Sequence, residues 1–128
     1  MAASPPRPTD AELEILTVLW SLGPATVRAV YNVISRRRSV QYSTVLKFMQ
    51  IMVEKGLVRR DQKQRAHVYE ASRSRERTRQ QLAEDLLQRA FSGSAKALLM
   101  GALSARKTTK EELAEMRKLL DEYGKEKR

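Results

Sequence analysis

The chain contains no cysteine and a single histidine, His67. Without thiols there is neither a disulfide frame nor a thiolate metal site, and one imidazole cannot build a ligand cluster alone. No metal and no cofactor are expected. Glycine and proline are scarce, five and four in 128 residues, and with 41% hydrophobic content the composition is that of a folded chain. That length suits one small domain or two half-sized units. No apolar run approaches the roughly 20 residues needed to cross a bilayer, and the start MAASPPRP lacks a basic region followed by an apolar one. No membrane binding and a cytoplasmic location are expected. A Ser/His/Asp constellation, a phosphate-cradling glycine loop and a clustered acidic site are also lacking, so no enzymatic activity is expected.

What the chain has in excess is positive charge. The net charge is +10, with pI near 10.3, and it is unevenly spread. Residues 1–27 carry one arginine against three acids; residues 28–79 carry fourteen Lys or Arg against four acids; residues 80–128 carry ten against eight. The middle third therefore holds nearly all of the excess. A concentrated basic region in a folded segment points to a polyanion partner, because each neutralised phosphate releases condensed counterions. A solubilising surface is the bland alternative.

The first periodic segment is TDAELEILTVLWSLG. Thr9 and Glu12 have capping-box spacing, Leu13, Leu16 and Trp20 line one face with Ile15 and Leu19 beside it, and Gly23-Pro24 stops the run. A second helix begins after Thr26, with Val27, Val30, Tyr31 and Ile34 on one side, and ends in Arg36, Arg37 and Arg38. The third opens at Ser43 or Thr44, puts Val45, Met49 and Met52 on one face with Phe48 adjoining, and closes at Gly56. Then the period changes. Leu57-Val58 and His67-Val68-Tyr69 are short β-type runs, and the polar stretch Asp61 to Arg65 between them suits a hairpin tip.

Helix, helix, helix, hairpin is the order of a winged helix, in which the third helix enters the major groove and the hairpin reaches the flanking backbone. Ser43, Thr44, Lys47 and Gln50 lie off the apolar face of the third helix. Small hydroxyls near a helix N-terminus suit phosphate or a thymine methyl, Lys47 suits guanine O6 or N7, and Gln50 suits adenine. On the helix alone, these residues fit a solvated face equally well. The hairpin cations Arg59, Arg60, Lys63 and Arg65 tip the choice towards DNA.

The stretches PTDAELEILTVLW, GPATVRAVYNVI, YSTVLKFMQIMVEKGLV and RAHVYEAS together resemble the penicillinase-repressor family of bacterial winged-helix regulators, of BlaI/MecI type. The likeness runs in register from about Pro8 into the C-terminal helices. It implies a transcriptional repressor that binds double-stranded DNA as a homodimer on a palindromic operator. The hydroxyl-rich helix start that faces the groove in similar proteins maps here onto Tyr42, Ser43, Thr44 and Lys47. The resemblance also implies, for some relatives, a membrane sensor-protease partner whose signal leads to cleavage between an Asn and a Phe in the dimerisation region. This chain departs there: it reads RAFSGS, so Ala90 precedes Phe91. A copper-responsive branch senses metal through C-terminal cysteines, which this chain lacks. Ile51 and Val53 stand where relatives usually carry charge; they alter operator choice or pack against a neighbouring element.

In the C-terminal third, Ser74 caps a helix whose Leu82, Leu86 and Ala90, with Leu87 alongside, form an apolar stripe; Phe91, Leu98, Leu99 and Leu103 follow; and Thr109 with Glu112 precedes Leu113, Met116, Leu120 and Tyr123. These stripes are expected to pair with the same stripes of a second copy rather than fold back on the winged helix. The expected architecture is mainly α with a small β-hairpin: a winged helix-turn-helix over 8–72, a three-helix dimerisation region over 73–124, and tails at 1–7 and 125–128. Base and groove contacts fall to Tyr42, Ser43, Thr44, Lys47 and Gln50 on a recognition helix over 43–55. Phosphate contacts fall to Thr26, Arg28, Arg36, Arg37, Arg38, Arg60, Lys63 and Arg65, with a basic wing over 59–67. A protein-docking module whose basic face meets an acidic partner is the alternative.

Overall fold

Eight elements follow one another in the computed structural model, which describes residues 6–63 and 65–126: α1 (Asp10–Leu22), α2 (Val27–Arg37), α3 (Tyr42–Lys55), β1 (Val58–Asp61), β2 (Val68–Ala71), α4 (Arg75–Phe91), α5 (Ala95–Ala105) and α6 (Lys110–Glu126). Of the expected tails, residues 1–5 and 127–128 lie outside the described residues, and α6 runs on through Lys125 to Glu126. The chain divides into two compact units, 1–83 and 84–128, with the division inside α4.

In the first unit the apolar positions close into one core. Ile15, Leu16, Val18 and Leu19 of α1, Val27, Val30 and Ile34 of α2, and Val45, Met49 and Met52 of α3 are buried together with Leu57, Val58 and Tyr69. Each such side chain contributes about 1.5–3 kcal/mol of burial. The stripe on α1 differs from the expected one: Val18 is buried, whereas Leu13 and Trp20 are only half-buried. Trp20 at that position has its one donor satisfied within the chain: Nε1 donates to the Arg73 carbonyl at 2.9 Å.

The helix ends follow from local chemistry. Both halves of the Thr9–Glu12 capping box are present on α1. Gly56 ends α3 at φ +79°, in the left-handed region that residues with a Cβ avoid, and its N–H reaches back to the Met52 and Val53 carbonyls. That reversal feeds β1 directly. β1 pairs antiparallel with β2 in the register Val58↔Ala71, Arg59↔Glu70, Arg60↔Tyr69 and Asp61↔Val68. A third partner joins from the α1–α2 connection, where Ala25 and Tyr69 exchange backbone hydrogen bonds of 2.9 and 2.8 Å. The two-stranded hairpin thus has its inner edge covered, which an isolated hairpin would lack.

Charge also fastens the helices. The Glu12 side chain is only 2% exposed, accepts from the Thr9 N–H at 2.9 Å, and meets Lys55 Nζ at 2.9 Å. The start of α1 is therefore tied to the end of α3. Burial works against ionisation of Glu12, but the Thr9 N–H and the Lys55 ammonium outweigh it and hold the carboxyl below its ordinary 4.5.

The second unit is built differently. Ser92 and Gly93 turn the chain after α4 with φ of +49° and +80°. The Ser94 hydroxyl caps α5 by accepting from the Ala97 N–H, and Thr109 accepts from the Glu112 N–H at the start of α6. The Phe91 ring lies against Gly101, where a Cβ would stand 3.4 Å from it, in ordinary van der Waals contact. Neither α5 nor α6 contains a buried residue. Leu86, Leu99, Met100, Leu103, Leu119, Leu120 and Tyr123 are exposed; Met100 and Leu119 had not been expected among the apolar stripes.

Glu12→Gln keeps the side-chain shape and removes the charge that Lys55 meets. It is expected to cost about 1–3 kcal/mol at neutral pH, read by urea denaturation. Because the folded carboxyl sits below 4.5, its contribution is complete above that pH and is lost as pH falls through the lower folded value. The difference between the two proteins should therefore narrow only in acid. A gap that stays constant into acid would assign the loss to something other than the ion pair.

Candidate functional site

An α-helix turns about 100° per residue, so the burial of Val45, Met49 and Met52 dictates what the other side of α3 presents. Ser43, Thr44, Lys47 and Gln50 occupy that other side, and all four are exposed. The helix begins one residue earlier than the expected Ser43: Gln41 is the N-cap, without a side-chain hydrogen bond, and Tyr42 is the first helical residue. Neither hydroxyl is consumed in capping. The Thr44 N–H donates to the Gln41 carbonyl at 3.1 Å, which leaves the N–H groups of Tyr42 and Ser43 and the positive end of the helix dipole for an outside acceptor.

Tyr42 is fixed by a neighbour on α2. The Arg28 guanidinium lies 4.3 Å from the Tyr42 ring centroid and 5.6 Å from that of Tyr31, and the two rings meet edge-on at 5.6 Å. A cation held on an aromatic face at an exposed site gains about 0.5–1 kcal/mol, enough to favour one position of a flexible side chain. Tyr31 had been assigned to the apolar stripe of α2 alone; its i,i+3 spacing from Arg28 is the signal for this second role. Thr26 is the N-cap of α2, its Oγ1 accepting from the Ala29 N–H at 3.1 Å, while its hydroxyl proton is still able to donate.

Thr26, Arg28 and Tyr42 line one cleft of about 250 Å³, together with Leu46, Arg65 and His67. Two arginines, an imidazole and a hydroxyl thus converge beside the start of α3, a donor set suited to an anion. His67 is exposed just ahead of β2. It lines the cleft where the Ala25–Tyr69 backbone bonds bring the base of β2 to the start of α2, a pairing that hydropathy does not encode.

Among the described residues, some of the remaining cations meet carboxylates within the chain and others do not. Arg38 Nη2 meets Glu14 Oε1 at 2.7 Å while its Nε reaches both Glu14 oxygens at 3.3 and 3.4 Å, a contact that pushes the guanidinium pKa up further. Its partner on α1 therefore occupies the fork that was assigned to phosphate. Arg37 lines an open cleft beside Asp10 and Glu14 rather than beside α3. Arg59 is paired with Glu70 across the hairpin at 2.8 Å. Arg36, Lys63 and Arg65 are exposed, and Arg60 is half-buried opposite Tyr69. Lys63 sits on a turn in which its N–H donates to Asp61 Oδ1 at 2.9 Å.

Residues 8–122 match the family model described as Penicillinase repressor, over nearly the whole chain. The chain belongs to the penicillinase repressor family. Within that family it is 37% identical over 93 residues to the transcriptional regulator BlaI of Mycobacterium tuberculosis, covering 71% of this chain and 67% of that one. It is 21% identical over 123 residues to the penicillinase repressor of Bacillus licheniformis, covering 96% of both. These relatives are regulators and not enzymes. Two solved structures share the fold. One is the solution structure of the monomeric form of Bacillus licheniformis BlaI in complex with the blaP half-operator, at TM-score 0.50 and 22% identity over 57% of this chain and 89% of that one. The other is a MarR family protein from Bacillus stearothermophilus, at TM-score 0.51 and 19% identity over 93% of this chain and 74% of that one. The winged-helix arrangement of this penicillinase-repressor-family chain is thus shared with both. Among the described residues no helix is long and apolar enough to cross a membrane.

Thr26→Ala removes the α2 cap and is expected to lower stability by about 1 kcal/mol in thermal or urea unfolding, whereas Thr26→Ser should restore it. Equal losses in both variants would mean that the methyl group, not the cap, matters there.

Proposed function

We propose that this chain is a DNA-binding transcriptional repressor acting as a homodimer on a two-fold symmetric operator. Residues 8–72 bind DNA and residues 73–124 pair the subunits. The observation that carries the reading is the split surface of α3. Val45, Met49 and Met52 anchor the helix in the core, Ser43, Thr44, Lys47 and Gln50 stand along its outer side, and Tyr42, packed on the flank of the core, lines the cleft holding Arg28 and Arg65. In the major groove those side chains meet base edges, and the uncapped helix start meets a phosphate. Thr26, Arg28, Arg36, Arg60, Lys63 and Arg65 take the backbone on either side. Arg37 and Arg38 have carboxylates beside them and contribute less.

Pairing is supported by the second unit. Leu119 at 53%, and Leu120 and Tyr123 at 59% each, are too exposed for a stable isolated surface, as is Met100 at 59%. An isologous contact would cover this surface, together with Leu82, Leu86, Leu87, Phe91, Leu98, Leu99, Leu103, Leu113 and Met116, and would give the two-fold axis that a palindrome requires. Release by a sensor-protease at Ala90–Phe91 is not part of the proposal, because the asparagine expected there is replaced by alanine.

Fluorescence anisotropy on a duplex from upstream of the chain's own gene, against a scrambled duplex, is expected to show on the order of 10³-fold preference, with affinity falling steeply in salt. Lys47→Ala and Gln50→Ala should erode the preference. Arg28→Ala or Arg65→Ala should lower the salt slope by about one while leaving the preference intact, and Arg38→Ala should leave the slope unchanged. Preference that survives loss of both Lys47 and Gln50 would favour a protein-docking surface instead. In sedimentation equilibrium the wild type should run as a dimer and Leu120→Asp with Tyr123→Asp as a monomer; two monomeric samples would refute the pairing.

A further inference from the structure

Two aliphatic residues near the end of α3, Ile51 and Val53, are given different surroundings by the fold. Val53 packs against the core, as do Leu46 and Phe48 on the flanks of the helix. Ile51 is partly exposed and, among the described residues, is not one of those packed on the core. Its direction follows from helix geometry. Ser43, Lys47 and Ile51 are spaced at i, i+4 and i+8, so they form one row along the outer side of α3, next to Thr44 and Gln50. A single surface isoleucine needs no explanation by itself. This one continues a row of side chains whose other members are all hydrogen-bonding, on the side of the helix that the core does not touch.

Building on the repressor reading above, we infer that Ile51 is a specificity-determining residue that contacts the C5-methyl group of a thymine in the major groove. The methyl is the one apolar feature on a major-groove base edge, and only thymine carries it. An aliphatic side chain has no donor or acceptor for the other bases, and it desolvates them without return. The position along the helix makes the inference geometric. At about 1.5 Å per residue, Ile51 lies roughly 6 Å beyond Lys47 along the axis. With base pairs about 3.4 Å apart, that is one to two steps further along the site. The thymine read by Ile51 should therefore lie one or two base pairs from the position read by Lys47, on the side away from the start of α3.

The test uses the full chain and a duplex it selects itself from a random-sequence pool. A series of otherwise identical duplexes then carries deoxyuridine in place of one thymine at a time, which removes only the methyl. Wild type is expected to lose about fourfold in affinity at one thymine per half-site, from about 0.8 kcal/mol per buried carbon group at 1.4 kcal/mol per tenfold. Ile51→Ala should bind thymine and deoxyuridine equally there, while keeping the wild-type response at every other position and on non-specific DNA. Lys47→Ala, measured in parallel, locates its own base position by altered discrimination. If no sequence is enriched, the repressor reading and this inference fall together. If a sequence is enriched and Lys47 reads it, but no thymine loses its methyl dependence in Ile51→Ala, or the dependent thymine lies far from the Lys47 position, this inference alone is overturned.

Discussion

The seating of Val45, Met49 and Met52 in the core of the first unit is the constraint from which the rest of its surface follows. Three side chains spaced at four and three residues define one edge of a helix, and their burial leaves no freedom about which residues point away. The outer row of α3 is therefore set by its inner row. The ion pair between Glu12 and Lys55 acts on the same helix at its other end, joining its last turn to the first turn of α1. A helix held along its length by packing and at its end by charge presents its outer side chains as a fixed array, the condition under which several weak contacts add up to discrimination.

Much of this was legible in the sequence because it rests on local rules. The three helix spans, the capping box at Thr9, the cap at Thr26, the glycine stop at Gly56 and the polar hairpin tip all follow from residue type and spacing within one element. What was not legible depends on residues far apart in the chain. Arg38 sits 24 residues from Glu14, Lys55 sits 43 from Glu12, and Trp20 sits 53 from the carbonyl it meets. Hydropathy marks Trp20 as apolar and cannot know that a carbonyl waits for its N–H. Charge counting likewise treats every arginine alike, whereas the fold assigns Arg38 and Arg59 to carboxylates within the chain and leaves Arg28 and Arg65 around a cleft. The early start of α3 was missed for a related reason: Ser43 and Thr44 are good capping residues, and here they stand inside the helix instead.

The second unit follows the opposite rule. Its helices are capped and properly turned, yet no residue of α5 or α6 is fully buried, and Leu98, Leu113 and Met116 are half-buried. Leu119 escaped the sequence reading because it lies beside Leu120 and only one of two adjacent leucines fits a simple stripe. An apolar band wider than one stripe is typical of a helix with neighbours on more than one side.

The exchange of backbone hydrogen bonds between Ala25 and Tyr69 has a thermodynamic consequence for the wing. It fixes the base of β2 to the connection between α1 and α2, so Tyr69 is held between its hairpin partner Arg60 and Ala25. Ordering a chain segment costs about 1–2 kcal/mol per residue. Backbone already held in this way has met that cost on folding. Tyr69 and the core beneath it therefore stay in register.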